Sequence, residues 1–306
     1  MKTFLKKLLA FAVLLFLFDK LFWVVLSTSN TFEVDRRLEH ILDGTLRKDL
    51  IVLGSSRGAR NVIAGTIGDS LGMSAYNLSY PGSDIEFHLF LLETLVECDA
   101  SPKVLLLVVD DPAELLPDKT ITFRLDRLYP LASLKRINDE LIRREDRSIL
   151  SRAMVLARLN RQNFHLSNLQ FTELDSMTRD GSMPIAFRKA DPDPVFRDSV
   201  GVYDSALESP TKVEAFVRFQ ELCARQGIQE YIVFSPNYRT PTPGFQERLM
   251  GLASKGTVPI VYDSLDPRYT DPAGFHDESH LVTSGAIHFT DAIIRMILAH
   301  REPGRP

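Results

Sequence analysis

The stretch Leu50-Ile51-Val52-Leu53-Gly54-Ser55-Ser56-Arg57 sets the reading of the whole chain. Four consecutive apolar residues, two of them β-branched, run into a glycine and two serines. A strand with one wet face alternates apolar and polar residues, so an unbroken run of this length marks a strand buried on both faces of a parallel sheet. Glycine and serine directly after it fit a tight turn into a helix, where a serine hydroxyl caps free N–H groups.

Similar runs recur at Ser74 to Asn77, Val104 to Val109, Tyr231 to Phe234 and Val258 to Tyr262. Helical spacing lies between most of them, at about 83–98 (Phe87, Phe90, Leu91, Leu95), 210–226 (Val213, Phe216, Val217, Phe219, Leu222) and 282–299 (Ala286, Phe289, Ile293, Ile297). This alternation predicts an α/β fold, a three-layer α/β/α flavodoxin-like parallel five-stranded sheet. Residues 110–229, between the third and fourth strands, exceed what one crossover needs, which places a helical insertion at about 117–209. Leu125 to Leu166 reads as two helices, with Arg143-Arg144-Glu145-Asp146-Arg147 as a solvated turn between them. Asp175 to Asp204, with Gly181, Pro184, Pro192 and Pro194, reads as loop.

Lys2, Lys6 and Lys7 precede eleven apolar residues, Leu8 to Phe18, and after Asp19 and Lys20 the run resumes from Leu21 to Leu26. As a helix, Leu8 to Leu26 is about 28 Å long, close to the ~30 Å hydrocarbon core of a bilayer. Positive charge ahead of the run points the N-terminus into the cytoplasm. The expectation is one N-terminal transmembrane helix in the cytoplasmic membrane, single-pass, with everything after about residue 28 extracytoplasmic. Leu8 to Phe18 also has the length of a signal-peptide core, followed by the small residues Ser27, Thr28 and Ser29, and cleavage there would give a secreted protein. Asp19 and Lys20 fit a span that ends early while Lys20 snorkels, or two charges that partly neutralise each other; for a non-enzymatic assembly component they would serve as a contact with a membrane-protein partner. The segments are then 1–28 anchor or signal, 29–47 linker, 48–300 α/β domain and 301–306 tail.

With 306 residues, 44% hydrophobic content, 25% charge, 16 Gly and 17 Pro, the chain is neither collagen-like, disordered nor a disulfide scaffold. The net charge is −4, and the part after residue 26 carries 32 basic against 39 acidic side chains. Such a balance disfavours nucleic acid as a partner. Cys98 and Cys223, the only cysteines, either pair or pack as free buried thiols. No CxxC or HExxH spacing supplies a metal site.

Ligands of open parallel sheets bind beyond the carboxyl ends of the strands. Those ends carry Gly54-Ser55-Ser56-Arg57, Asn77-Leu78-Ser79-Tyr80-Pro81-Gly82-Ser83, Asp110-Asp111-Pro112 and Ser235-Pro236-Asn237, and the last strand leads to Asp277-Glu278-Ser279-His280. A serine nucleophile needs a neutral imidazole to take its proton and a carboxylate to hold the imidazole's tautomer. The three-residue spacing of Asp277 and His280 lets the carboxylate reach one ring nitrogen and leaves the other for Ser56. Backbone N–H groups at Ser56 and Gly82 can then receive an oxyanion. His276 and His288 read as structural. Arg57 reads either as a ligand for an anionic substrate group or as a partner of a helix-face acid, and Tyr80 and Tyr238 either stack on a sugar or sit half-buried.

This order of residues resembles the SGNH, or GDSL, hydrolase superfamily, in which a serine follows strand one, a glycine strand two, an asparagine strand three, and Asp-x-x-His precedes the last helix. Gly54-Ser55-Ser56 stands where that family has Gly-Asp-Ser. The resemblance covers roughly residues 48–116 and 228–299 and implies Ser56 as nucleophile, Ser56 and Gly82 as oxyanion donors, Asp277 as orienting acid and His280 as base. Phe275 to Thr290, with Asp277, His280, Gly285 and Ala286, is similar to the membrane-anchored, extracytoplasmic branch, whose relatives acylate or deacylate cell-surface polymers. What it implies is a serine esterase or O-acyltransferase acting on acetyl or acyl esters of a cell-surface glycan through an acyl-serine, with no metal and no cofactor. Asp110-Asp111-Pro112 stands where the family has its asparagine, and an ionised carboxylate cannot donate to an oxyanion. The third donor is then missing or comes from Asn237 or Arg57. The alternative is a catalytically weak or inactive SGNH-fold component of a membrane polysaccharide-modification assembly.

Overall fold

The computed structural model describes residues 1–28, 35–159, 174, 176–189, 195–197 and 201–301. Parts of the expected linker (29–34), the second insertion helix (160–166), the loop with Pro192 and Pro194, and the tail (302–306) lie outside these residues.

The apolar runs form five strands: β1 (Leu50–Gly54), β2 (Ala75–Asn77), β3 (Val104–Val109), β4 (Gln229–Phe234) and β5 (Val258–Val261). All pair in parallel, in the order β2-β1-β3-β4-β5. β1 and β3 are buried along their whole length, which is why neither alternates. Pro259 sits in β5, at the sheet's edge, where a residue without an N–H is tolerated.

The helices are α1 (Lys2–Thr28), α2 (Arg37–Leu42), α3 (Ser56–Asn61), α4 (Ala64–Leu71), α5 (Ile85–Glu97), α6 (Leu125–Leu128), α7 (Lys135–Arg143), α8 (Pro210–Gln226), α9 (Phe245–Leu252) and α10 (Thr283–Arg301). Chain contacts divide the molecule into two compact units, Met1–His40 with Arg124–Gln170, and Ile41–Phe123 with Phe171–Pro306. The second unit holds the sheet. On one face, alternate strand residues (Leu50 and Val52, Leu106 and Val108, Tyr231 and Val233) pack with Phe289, Ile293 and Ile297 of α10, all of them buried. Each such side chain contributes about 1.5–3 kcal/mol on burial. α5 packs with α8, α5 also touches β1, and α8 touches β4.

Among the described residues of the first unit, where two longer insertion helices are expected, 125–159 forms the four-residue α6, the nine-residue α7 and short 3₁₀ turns. Pro130 has no N–H to continue the α-helical ladder, so α6 ends after four residues and the chain passes into a 3₁₀ turn at Tyr129–Leu131, with Tyr129 itself helical at φ −54°, ψ −44°. Glu145, at φ 59°, lies in the left-handed region and stops continuation beyond α7. The charged run from Arg143 is a turn, with Arg143 and Arg144 both paired to Glu140.

α1 is one continuous helix through the Asp19–Lys20 pair. Lys7, Asp19 and Lys20 limit its uninterrupted apolar run to Leu8–Phe18, about 16 Å of helix. Among the described residues, no helix is long and apolar enough to cross a membrane.

Candidate active site

Ser56 is the first residue of α3, two residues past the end of β1. Ser55 caps that helix by accepting the Arg57 N–H. α3 lies very close to the sheet: a Cβ on Gly54 would stand 2.7 Å from the Val108 carbonyl oxygen, and one on Gly58 would stand 2.5 Å from Ser79 Oγ. Both glycines are therefore needed for the serine to be carried this low over β1 and β3. At the helix's far end, Asn77 Nδ2 donates to the Gly58 and Val62 carbonyls, which have no intrahelical partner.

The Asp277–His280 turn meets Ser56 from the other end of the sequence. His280 Nε2 is 2.8 Å from Ser56 Oγ. His280 Nδ1 is 2.9 Å from both Asp277 oxygens, and Asp277 Oδ1 also accepts the backbone N–H groups of Ser279 and His280. A carboxylate can only accept, so Nδ1 carries the proton and Nε2 is left to receive the serine's. Burial alone would raise the Asp277 carboxyl, but the His280 hydrogen bond and charge and the Ser279 N–H hold it well below the usual carboxylate range. Burial lowers the His280 pKa below the ordinary imidazole value; Asp277 opposes this, and the charges of Arg60 and Arg57 add to it. The His280 imidazole is thus kept neutral near pH 7.

Ser56, Gly82 and His280 line one cavity of about 600 Å³, together with Arg57, Arg60 and Arg239. Gly82 has φ 77°, a backbone conformation that disfavours any side chain. As the first residue of a helix, Ser56 has no intrahelical acceptor for its N–H. The Gly82 turn is fixed from beneath. Ser83 Oγ lies 2.7 Å from the Tyr80 carbonyl and 3.1 Å from that of Gly54, and its one proton goes to one of them. His88 Nε2, 2.9 Å away, therefore donates to Ser83 Oγ. His88 faces Glu114 at 3.7 Å, and Glu114 accepts the Asp110 N–H. One buried polar chain thus runs from the Gly82 turn to the end of β3.

The remaining sequence candidates separate. Arg57 lines the cavity and pairs with Asp110, its Nε 3.2 Å from Oδ1, while its buried Nη1 makes no hydrogen bond among the described residues. Burial raises the Asp110 carboxyl against the pull of the Arg57 charge. Asn237 does not line this cavity; it is buried in a separate pocket of about 40 Å³ with Phe234 and Phe245. Of the two residues expected to replace the third donor, only Arg57 is on the site. Tyr80 is buried edge-on against Phe87, and Tyr238 is buried with its hydroxyl donating to the Thr270 carbonyl, so neither offers a face to a sugar. His276 bonds the Phe187 carbonyl and His288 contacts Arg268 and Asp266, consistent with structural roles. Both cysteines are free thiols.

Sequence reasoning missed Arg60 and Arg239, which line the cavity, and Asn61 and Asn77, whose side chains tie α3 to other elements, because none of these leaves a spacing signal. No protein-family model matches this chain, and a comparison with curated proteins gives no match.

Proposed function

We propose that this chain is a serine esterase or O-acyltransferase of the SGNH type, acting on acetyl or acyl esters of a cell-surface glycan from a membrane-tethered, extracytoplasmic position. The observation that carries the reading is the 2.8 Å approach of His280 Nε2 to Ser56 Oγ with Asp277 behind it, three groups contributed from opposite ends of the chain. The strand order is that of the flavodoxin-like α/β/α arrangement, and the cavity lies at its β1/β3 switch point, where ligands of such sheets bind. The membrane setting rests on the apolar N-terminal run and the lysines ahead of it.

In this reading Ser56 Oγ attacks the ester carbonyl as His280 Nε2 takes its proton. The tetrahedral oxyanion is met by the Ser56 and Gly82 N–H groups, and Arg57 supplies the donor that Asp110 cannot. Collapse breaks the ester bond, His280 returns the proton to the departing alkoxide, and the acyl group stays on Ser56. Water or a sugar hydroxyl, deprotonated by His280, then attacks the acyl-serine and releases it. An inert assembly component would not need a neutral, oriented base facing an open cavity, which favours the catalytic reading over the scaffold.

The test is fluorophosphonate labelling of the full chain at neutral pH with the modified peptide mapped. Label on Ser56 that is lost in Ser56→Ala and in His280→Ala is the expected result. Folded protein that takes no label would defeat the catalytic reading.

A further inference from the structure

Between Leu8 and Leu26, Asp19 and Lys20 are the only charged residues, and both are engaged by the backbone of the insertion. Asp19, fully buried, accepts the N–H groups of Val155 and Leu156, each at 2.8 Å. Lys20 Nζ donates to the Ala153 carbonyl at 2.7 Å and stands 4.6 Å from the centre of the Phe16 ring. The pair thus clasps residues 153–156 to the side of α1. A carboxylate satisfied by two N–H groups no longer needs water, so the clasp is suited to an apolar surrounding.

Apart from Arg152, which pairs with Asp139, the exposed side chains flanking it are largely apolar. From Phe4 to Val24 the large apolar side chains of α1 are 43–68% exposed, Phe22 excepted. The adjoining 3₁₀ turn Ile149–Arg152, capped by Ser148, presents Ile149 and Leu150, each 63% exposed, and Leu156 follows at 37%. Two remote segments, tied together at Asp19 and Lys20, thus both expose large apolar side chains, more than a water-facing unit usually does. Leu8–Phe18 supplies about 16 Å of apolar helix before the clasp, and Trp23, a residue type favoured at the lipid–water boundary, lies one turn after it.

We propose that residues 149–156 enter the lipid–water boundary beside α1, with Ile149 and Leu150 in the acyl region of a phospholipid bilayer. This rests on the membrane-tethered part of the proposed function and adds a second, non-helical contact that the Asp19–Lys20 clasp sets at a fixed depth.

Trp23 is the single tryptophan of the chain and reports on α1. The test reconstitutes the full chain into phosphatidylcholine–phosphatidylglycerol vesicles with and without acyl-brominated lipid, as the parent and as the double variant Trp23→Phe, Leu150→Trp. Leu150 is exposed, so the substitution leaves the fold intact. Expected is a blue shift and loss of emission to bromolipid for both proteins, with the loss at position 150 diminished when Asp19→Ala releases the turn. Quenching of Trp23 with none at position 150 would overturn the inference and leave the tether standing. Quenching of neither would overturn both.

Discussion

The side-chain oxygen of Asn61 lies 2.9 Å from the backbone N–H of Leu281, across 220 residues of sequence. Asn61 closes the helix that opens at Ser56, and Leu281 follows His280. The same amide donates to Ser235 Oγ at 2.9 Å. Asn61 therefore fixes Ser56 and His280 in one frame without touching either. Asn61→Ala leaves a buried N–H without an acceptor, which costs about 1–3 kcal/mol. A lower Tm and a fall in kcat larger than the change in KM are expected on an aryl ester. Asn61→Asp, which keeps the acceptor oxygen, should restore part of kcat; an unchanged kcat in the alanine variant would remove Asn61 from any positioning role.

The acid limb of the pH profile reports His280. Because burial and the neighbouring arginines hold its pKa down, kcat/KM should rise through a midpoint below the ordinary imidazole value of about 6.5 and be flat at neutral pH. Asp277→Asn favours the wrong tautomer and should lower kcat by roughly 10³–10⁴-fold. Steady-state rates between pH 4.5 and 8 decide this, and a midpoint above neutrality would contradict the assignment of the base.

Gly82→Ala places a Cβ on a left-handed residue, at a cost of about 1–2 kcal/mol. The turn should shift and carry the N–H away from the oxyanion, so activity should fall by more than the urea midpoint suggests. Loss of stability with full activity would show that the Gly82 N–H is no donor.

Glu230 gives stability its own pH dependence. Burial pushes its carboxyl up to about 7, although Gln220 and Thr257 donate to it. The folded state then holds a proton that the unfolded chain releases above about 4.5, so stability is greatest at low pH and declines as pH rises through 4.5 to 7. The loss is a few kcal/mol in total. Asp84, raised to about 6, slopes the same way, so the informative quantity is the difference between parent and Glu230→Gln in urea unfolding across that window. Equal slopes would refute the buried acid.

β1 and β3 were legible as unbroken apolar runs and β4 and β5 through the shorter apolar stretches 231–234 and 258–262, while Ser56, Asp277 and His280 stood out because each follows a strand end or precedes the last helix. α4 was hidden by Gly65 and Gly68, which weaken its helical signal while letting it pack tightly, a Cβ on Gly68 standing 2.8 Å from Ala75 Cβ. Asn237 misled because a strand end fixes the position of a backbone but not the cavity its side chain occupies. Asn61 and Asn77 were invisible for the opposite reason: asparagine is an ordinary residue at a helix end or strand end, and only the partners brought in by the fold give these two a task. In the described part of the insertion the expected turn at 143–147 is present, but Pro130 cuts the helix ahead of it and the helical spacing after it forms only 3₁₀ turns up to residue 158.

The clasp between Asp19 and the N–H groups of Val155 and Leu156 joins residues 136 and 137 positions apart. During translation at about 5–20 residues per second, roughly 7 to 27 seconds separate the emergence of Asp19 from that of these partners. Until then only Lys20 answers its charge. Whatever receives the nascent N-terminal helix must therefore accept it with this acid still open, and the ribosome delivers the closing segment only after the first three strands of the sheet have been made.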